Sequence, residues 1–337
     1  MNKQLALVLL ACIFILFQGN VKADVVTISG RQIFVNGSRY TIKGVCYHPV
    51  PKGSNSRNFC NLTQDLALMK EAGINTIRVY TPITDVAVLD QIGAAGIKVI
   101  IGFGYNQDGK YDILSGTFIN YVKTYQKHDA ILLWELGNEY NYHPEWFADS
   151  IQNWYHALNN AAGMIHKIDP SHPVATAHGE LPAANALSLC PNVDIWGMNV
   201  YRWDNPENIF TEWSEISSKP MYLSEAGSDS YMTANMNGYD QGINEKAQAD
   251  ATKNILDDIF RYQDICSGVA LFAFVDELWK AGDNKTQDAG GWAPKSSGVP
   301  YDGAANEEYW GIVNIERIKK MAYDVVKSKY TGLTQTK

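Results

Sequence analysis

Several things this chain lacks narrow its chemistry before anything it contains is considered. It has no G-x-G-x-x-G and no G-x-x-x-x-G-K-[ST], which speaks against a dinucleotide- or nucleotide-phosphate-binding open sheet. It has no G-x-S-x-G nucleophile elbow, so a Ser–His–Asp hydrolase is not expected. Its seven histidines form no H-E-x-x-H or other ligand spacing, so neither a catalytic metal nor a cofactor is expected. Basic residues are the minority, 28 against 36 acidic, and a net charge of −8 disfavours nucleic acid and anionic membranes as partners. Tandem repeats, low-complexity tracts and Pro/Ser-rich linkers are absent, which points to one domain.

Cysteine is also scarce. Cys12 falls within an apolar run, Leu5 to Phe17, that follows Lys3 and precedes Val21-Lys22-Ala23. The run is too short for a span of ~20 residues and reads as a secretory signal over residues 1–23. The expectation is therefore a secreted monomer whose catalytic domain occupies residues 24–337. Export permits disulfides, and Cys46 with Cys60 is the candidate pair, closing a short loop. Cys190 and Cys266, each just before an expected strand, read as free buried thiols. Asn36-Gly-Ser, Asn61-Leu-Thr and Asn284-Lys-Thr are glycosylation sequons, meaningful in a eukaryotic host.

What the chain does have is a regular alternation. Short apolar runs predict strands at 42–47, 76–80, 99–103, 131–136, 173–177, 195–200, 221–224 and 269–274. Helical periodicity fills the gaps at 61–72, 84–95, 117–128, 148–168 and 244–263. Eight strands, each followed by a helix or long loop, predict an α/β protein with a closed (β/α)8 barrel. The structural alternative, a doubly wound open sheet, lacks its phosphate loop. Ahead of the first strand, VVTISGRQIFVNGSRYTIKG predicts a β-hairpin turning at Asn36-Gly37 that closes the amino-terminal end of the barrel.

Two glutamates stand at the carboxyl ends of these runs: Glu139 after LLWELGN on the fourth strand and Glu225 after PMYLS on the seventh. Those strands face each other across an eight-stranded bore, so both carboxylates can reach one substrate. Paired carboxylates in a cleft are the equipment of glycoside hydrolysis. Glu139, beyond Gly137 where the strand opens into its loop, suits the acid/base, and Asn138 beside it suits a bond to a sugar hydroxyl. Glu225 suits the nucleophile and needs donors, for which Arg78 in TIRVY and Tyr201 in GMNVY are placed. Glu135 lies inside the apolar run and is expected to be structural, paired with Arg78 or a lysine.

GNE after the fourth strand, the glutamate ending the seventh, RVY on the second and Asn-x-Tyr on the sixth resemble clan A of the glycoside hydrolases. The resemblance extends over residues 24–337, beginning with F-V-N-G and I-K-G-V. It implies a retaining (β/α)8 enzyme of the kind found in families 2, 5, 17 and 72, with Asn138 and Glu139 as the Asn–acid/base pair. It also implies Glu225 as nucleophile, Arg78 and Tyr201 as its supports, and carboxyl groups about 5–5.5 Å apart. FAFVDELWK followed by WGIV resembles family 2-like and family 72-like barrels, some acting on β-1,3-glucans; it departs from the clan's commoner pattern of a Trp within strand eight. It implies Asp276, Glu277 and Trp279 in the cleft, with Trp279 stacking on a sugar.

His48, Tyr105, Asn106 and His178 follow expected strands and are further cleft candidates. The expected activity is internal cleavage of a β-1,3-glucan, a polysaccharide or oligosaccharide being the partner. Glucanosyl transfer, or action on a β-mannan or β-galactoside, stands as the alternative, and a non-enzymatic carbohydrate-binding barrel as a reading from another class.

Overall fold

The computed structural model describes residues 24–105, 110–291 and 298–333; the expected signal segment 1–23 and Asn106 lie outside them. The chain opens with an antiparallel sheet of β1 (Val26–Ser29), β2 (Gln32–Val35) and β3 (Ser38–Tyr40). One hairpin was expected; there are two, sharing β2. The second turns at Asn36-Gly37, whose φ of 52° and 79° are the paired left-handed residues of a tight hairpin.

The barrel strands follow as β4 (Ile42–Cys46), β5 (Thr76–Val79), β6 (Lys98–Phe103), β7 (Ile131–Asn138), β8 (Val174–Gly179), β9 (Ile195–Asn199) and β10 (Met221–Ala226). A small antiparallel pair, β11 (Tyr231–Met232) and β12 (Gly242–Ile243), precedes the last barrel strand, β13 (Cys266–Leu271). All barrel neighbours pair in parallel, and β13 closes the ring on β4 with Gly268 opposite Ile42. The seam is tight: Gly268 has φ 123°, and a Cβ there would stand 2.0 Å from the Ile42 carbonyl oxygen, so only glycine fits. Each of the eight expected strands is present. The last begins and ends three residues earlier than the apolar run suggested.

The strands are apolar throughout because barrel side chains on one face meet the bore and on the other meet helices. Those helices are α1 (Leu62–Glu71), α2 (Val86–Ala94), α3 (Phe118–Tyr125), α4 (Ile151–Ile168), α5 (Ala184–Leu189), α6 (Asn208–Ile216), α7 (Glu245–Arg261) and α8 (Met321–Gly332). In α4 the buried Trp154, Leu158, Ala161, Ala162 and Ile165 form the expected stripe. Asp85 and Asn244 cap α2 and α7 by accepting from Ala87 and Ala247 backbone N–H groups. Three helices were not foreseen. In α5 only Ala186 is buried, too few to show a period, and in α6 Ile209, Phe210 and Trp213 do share one face but over a helix of only nine residues. The α8 helix lies past the long excursion after β13 and is tied back by Tyr330, whose hydroxyl donates to the Gly44 carbonyl at 3.0 Å.

The opening sheet does close the lower end of the barrel. Val26 and Ile33 pack with Ile42, Ile100, Leu133 and Tyr222 in one buried cluster at that end. The site is therefore confined to the opposite end, where the strands' carboxyl termini emerge.

Candidate active site

The bore holds a charged network that begins at Arg78, fully buried on β5. Its Nε donates to Glu135 Oε1 at 2.8 Å, its Nη1 to Glu225 Oε1 at 2.9 Å and its Nη2 to Asn138 Oδ1 at 2.7 Å. Glu135 also accepts from the Tyr222 hydroxyl, which makes it a structural counter-charge. A buried guanidinium needs such partners on every edge.

Glu225 ends β10 and has donors on both oxygens. Oε1 accepts from Arg78 and from the Tyr80 hydroxyl at 2.7 Å; Oε2 accepts from the Tyr201 hydroxyl at 2.7 Å. Its carboxylate is oriented and charge-balanced, as a nucleophile requires.

Glu139 has the opposite surroundings. It lies in the left-handed region, φ 55°, just past β7, with its N–H donating to the Ala177 carbonyl at 2.8 Å. A non-glycine residue there costs on the order of 1 kcal/mol, offset by the anchoring of its backbone. Burial, reinforced by the negative charge of Glu225, pushes its carboxyl up to about 7, against bonding by Asn199 in the other direction. It therefore holds a proton close to neutral pH, as a general acid must. Asn138 accepts on Oδ1 from both Arg78 and Asn199 Nδ2 (3.1 Å), so its amide nitrogen is the end left to donate to a sugar hydroxyl.

Both glutamates line one open cavity of about 1030 Å³. His48, Tyr105, Asn138, Tyr201, Glu277 and Trp279 line it too, as expected. His48 packs on Trp279 with ring centroids 5.3 Å apart, and burial, helped by Arg57 and Lys280, lowers its imidazole to about 4, so it is neutral. Glu277 is pushed up to about 7 by burial, opposed by Lys280 at 3.3 Å. Lys280 also faces Glu307 at 3.5 Å and lies 4.3 Å over the Phe272 ring.

Three expectations need correction. Asp276 does not reach the cavity: it is buried, with Lys320 Nζ at 2.6 Å, the Gly311 N–H at 2.9 Å and Gln287 Nε2 at 3.0 Å, and it anchors the segment after β13. His178 turns away from it, its Nε2 3.1 Å from the Tyr155 hydroxyl and its Nδ1 2.9 Å from the Glu180 carbonyl. Cys46 and Cys60 are not bridged. The Cys46 side chain points into the bore, where Arg78 Nη1 lies 3.8 Å from its sulfur, whereas Cys60 is exposed beside α1. Cys190 and Cys266 are free and buried, as expected.

Around the two glutamates, sequence reasoning missed Tyr80, Asn199 and Trp310. Tyr80 and Asn199 sit in the RVY and Asn-x-Tyr motifs, where a polar residue at a strand's carboxyl end was the available signal. Trp310 was not separable from a core residue. Its ring meets Tyr201 edge-on at 5.4 Å and Phe272 at 5.5 Å, so the aromatic wall that strand eight lacks is supplied by the segment near residue 310.

No protein-family model matches the chain. Among curated proteins it is 25% identical over 291 residues to the probable beta-glucosidase btgE of Aspergillus clavatus, across 80% of this chain and 45% of that one. The Aspergillus fumigatus protein of the same name is also 25% identical, over 260 residues, 70% of this chain and 42% of that one. The chain thus spans less than half the length of these curated relatives. Among solved structures it resembles a GH2 beta-galacturonidase from Eisenbergiella tayi bound to galacturonate, with a TM-score of 0.70 and 23% identity. That match covers 93% of this chain and 54% of the other. The beta-D-glucuronidase of Dictyoglomus thermophilum gives a TM-score of 0.69 at 17% identity over 93% of this chain and 54% of that one. The shared fold is the (β/α)8 barrel.

Proposed function

We propose that the protein is a retaining glycoside hydrolase acting on a neutral β-linked glucan. The observation that carries this is the contrast within one cavity: Glu225 held by Arg78, Tyr80 and Tyr201, and Glu139 desolvated and shifted toward neutrality. In the first step Glu225 attacks the anomeric carbon while Glu139 gives its proton to the departing glycosidic oxygen, leaving a glycosyl ester on Glu225. In the second, Glu139 as carboxylate takes a proton from water, which displaces Glu225 and releases the sugar with its original anomeric configuration. Asn138 would bond a ring hydroxyl during both steps.

The charge of the cavity favours a neutral glycone. Among the described residues lining it, Lys280 is the one fixed cation, and it already faces Glu277 and Glu307, while His48 is neutral. A uronic acid, of the kind named for the structural neighbours, would meet net negative charge. The name of the curated relatives, beta-glucosidase, agrees with a glucose unit. The cavity is at the upper end of the roughly 300–1,000 Å³ usual for small-ligand sites, which suits more than one sugar ring and supports cleavage within a chain such as a β-1,3-glucan. Secretion, suggested by residues 1–23, is part of this proposal.

An NMR time course on a defined β-1,3-gluco-oligosaccharide tests it. The expected first product is the β-anomer, followed by mutarotation. Initial release of the α-anomer would refute retention, and turnover of aryl β-glucuronides in preference to glucosides would refute the neutral glycone.

A further inference from the structure

The cavity continues from the two glutamates onto the loop that carries Glu139, and two aromatic rings on that loop are only partly covered. Tyr142 and Trp146 both line the cavity, yet are 55% and 50% exposed. At the mouth of a cavity such rings offer a surface that a ligand can cover.

Both rings are held in place. Asn141 makes two bonds to the end of β8, donating from Nδ2 to the Gly179 carbonyl at 3.0 Å and accepting the Gly179 N–H at 2.7 Å. The Tyr142 ring then lies against Gly179 itself: a Cβ there would stand 2.2 Å from the ring, so the strand end must be bare for the ring to lie down. Trp146 is stacked on the His143 imidazole, centroids 4.0 Å apart and planes 6° apart, and its other contact is edge-on to Tyr140 at 5.4 Å. His143 in turn is fixed by Glu145 at 2.8 Å. Rings ordered in advance lose little freedom when a ligand lands on them.

Their side of the cleft follows from the chemistry. A general acid stands beside the bond's leaving oxygen, so the loop that carries it borders the departing sugar. Tyr142 is three residues beyond Glu139 and its N–H donates to the Glu139 carbonyl at 3.0 Å. Its hydroxyl is raised to about 12, by burial first and then by the charges of Glu139 and Glu180. Trp310 and Phe272, which also line the cavity, are by contrast buried and packed on each other at 5.5 Å.

We propose that Tyr142 and Trp146 form a leaving-group platform that stacks the uncharged pyranose rings on the reducing-end side of the scissile bond. The axial C–H face of such a ring is its apolar face and matches an aromatic surface. The platform makes the enzyme favour oligomeric over monomeric leaving groups, and lets a second sugar wait there to accept the glycosyl unit in place of water. In that event the acceptor hydroxyl gives its proton to Glu139 and its oxygen displaces Glu225, forming a new β-glycosidic bond.

The inference rests on the function proposed above, and the test separates the two. Wild type, Trp146→Ala, Tyr142→Ala and Trp146→Phe would be compared on laminarihexaose and on β-laminaribiosyl fluoride, whose leaving group has no ring to stack. The expected result is a kcat/KM for the hexaose lowered about tenfold in each alanine variant. Fluoride turnover should stay within about twofold of wild type, with Trp146→Phe recovering most of the loss. The transfer-to-hydrolysis ratio at high hexaose should fall in the same variants. Equal loss on both substrates, or no loss on either, would overturn the platform. A wild type that cleaves neither substrate would refute the proposed function and the platform with it.

Discussion

Arg78 donates through Nη1 to Oε1 of Glu225 at 2.9 Å; the guanidinium is fully buried and the Glu225 side chain is 8% exposed, toward the cavity. The same guanidinium is bonded to Glu135 and Asn138. One cation thus bonds a carboxylate inside the bore, Glu135, and one at a strand end, Glu225, whereas Glu139, just past the end of the strand that carries Glu135, makes no ion pair with it.

Removing Arg78 should be costly. Arg78→Ala leaves Glu135 and Glu225 facing each other without a counter-charge, and loss of one partner from a buried ion pair costs about 3–5 kcal/mol. A denaturant melt should show that loss. Stability unchanged within about 0.5 kcal/mol would mean that the network contributes nothing to the fold.

Glu225→Gln keeps the volume and an oxygen for Tyr80 or Tyr201 while removing the proposed nucleophile. Turnover should fall by roughly 10⁴-fold or more with the circular dichroism spectrum unchanged. Substantial residual hydrolysis by pure variant would reassign the nucleophile.

Glu139→Ala should slow substrates with poor leaving groups most, because they depend on the proton it supplies. Added azide should restore turnover and yield a β-glycosyl azide, since azide attacks the glycosyl-enzyme on the face that water used. An α-azide would reverse the two roles.

The acid's environment also sets the pH profile. Glu139 must be protonated for the first step and its carboxyl is raised to about 7, so kcat/KM should decline as pH rises through that value. That limb should vanish in Glu139→Ala on an activated fluoride, where no proton is needed. A basic limb that survives the substitution would belong to another group, such as Glu277.

The cysteines offer a separate check. Cys60 is exposed and Cys46, Cys190 and Cys266 are buried and unbridged. In folded protein spanning residues 24–337, one thiol should react quickly with a chromogenic disulfide, and all four after unfolding without reductant. Fewer than four in the unfolded sample would restore the Cys46–Cys60 bridge.

Much of this was readable from residue order alone because the barrel imposes a strong local signature. Each strand is buried on both faces, so it appears as an apolar run, and the ligand side is the side where the run ends. That was enough to set Glu139 and Glu225 on strands four and seven, to find Arg78 and Tyr201, and to set Glu135 apart. It failed where the decisive fact was direction rather than position. Asp276 and His178 occupy the right ends of their strands, yet one side chain is taken by Lys320 and the other by Tyr155. Cys46 and Cys60 are near in sequence, yet one faces the bore and the other solvent.

By itself, then, the sequence determined the strand count, the closed barrel and the two carboxylates, since these follow from hydrophobic period and from the chemistry of residue types at strand ends. Only the tertiary structure decided which neighbours each carboxylate has. Tyr80, Asn199 and Trp310 come from three separate segments, and the difference between the two glutamates arises from donors and burial that converge only when the ring closes.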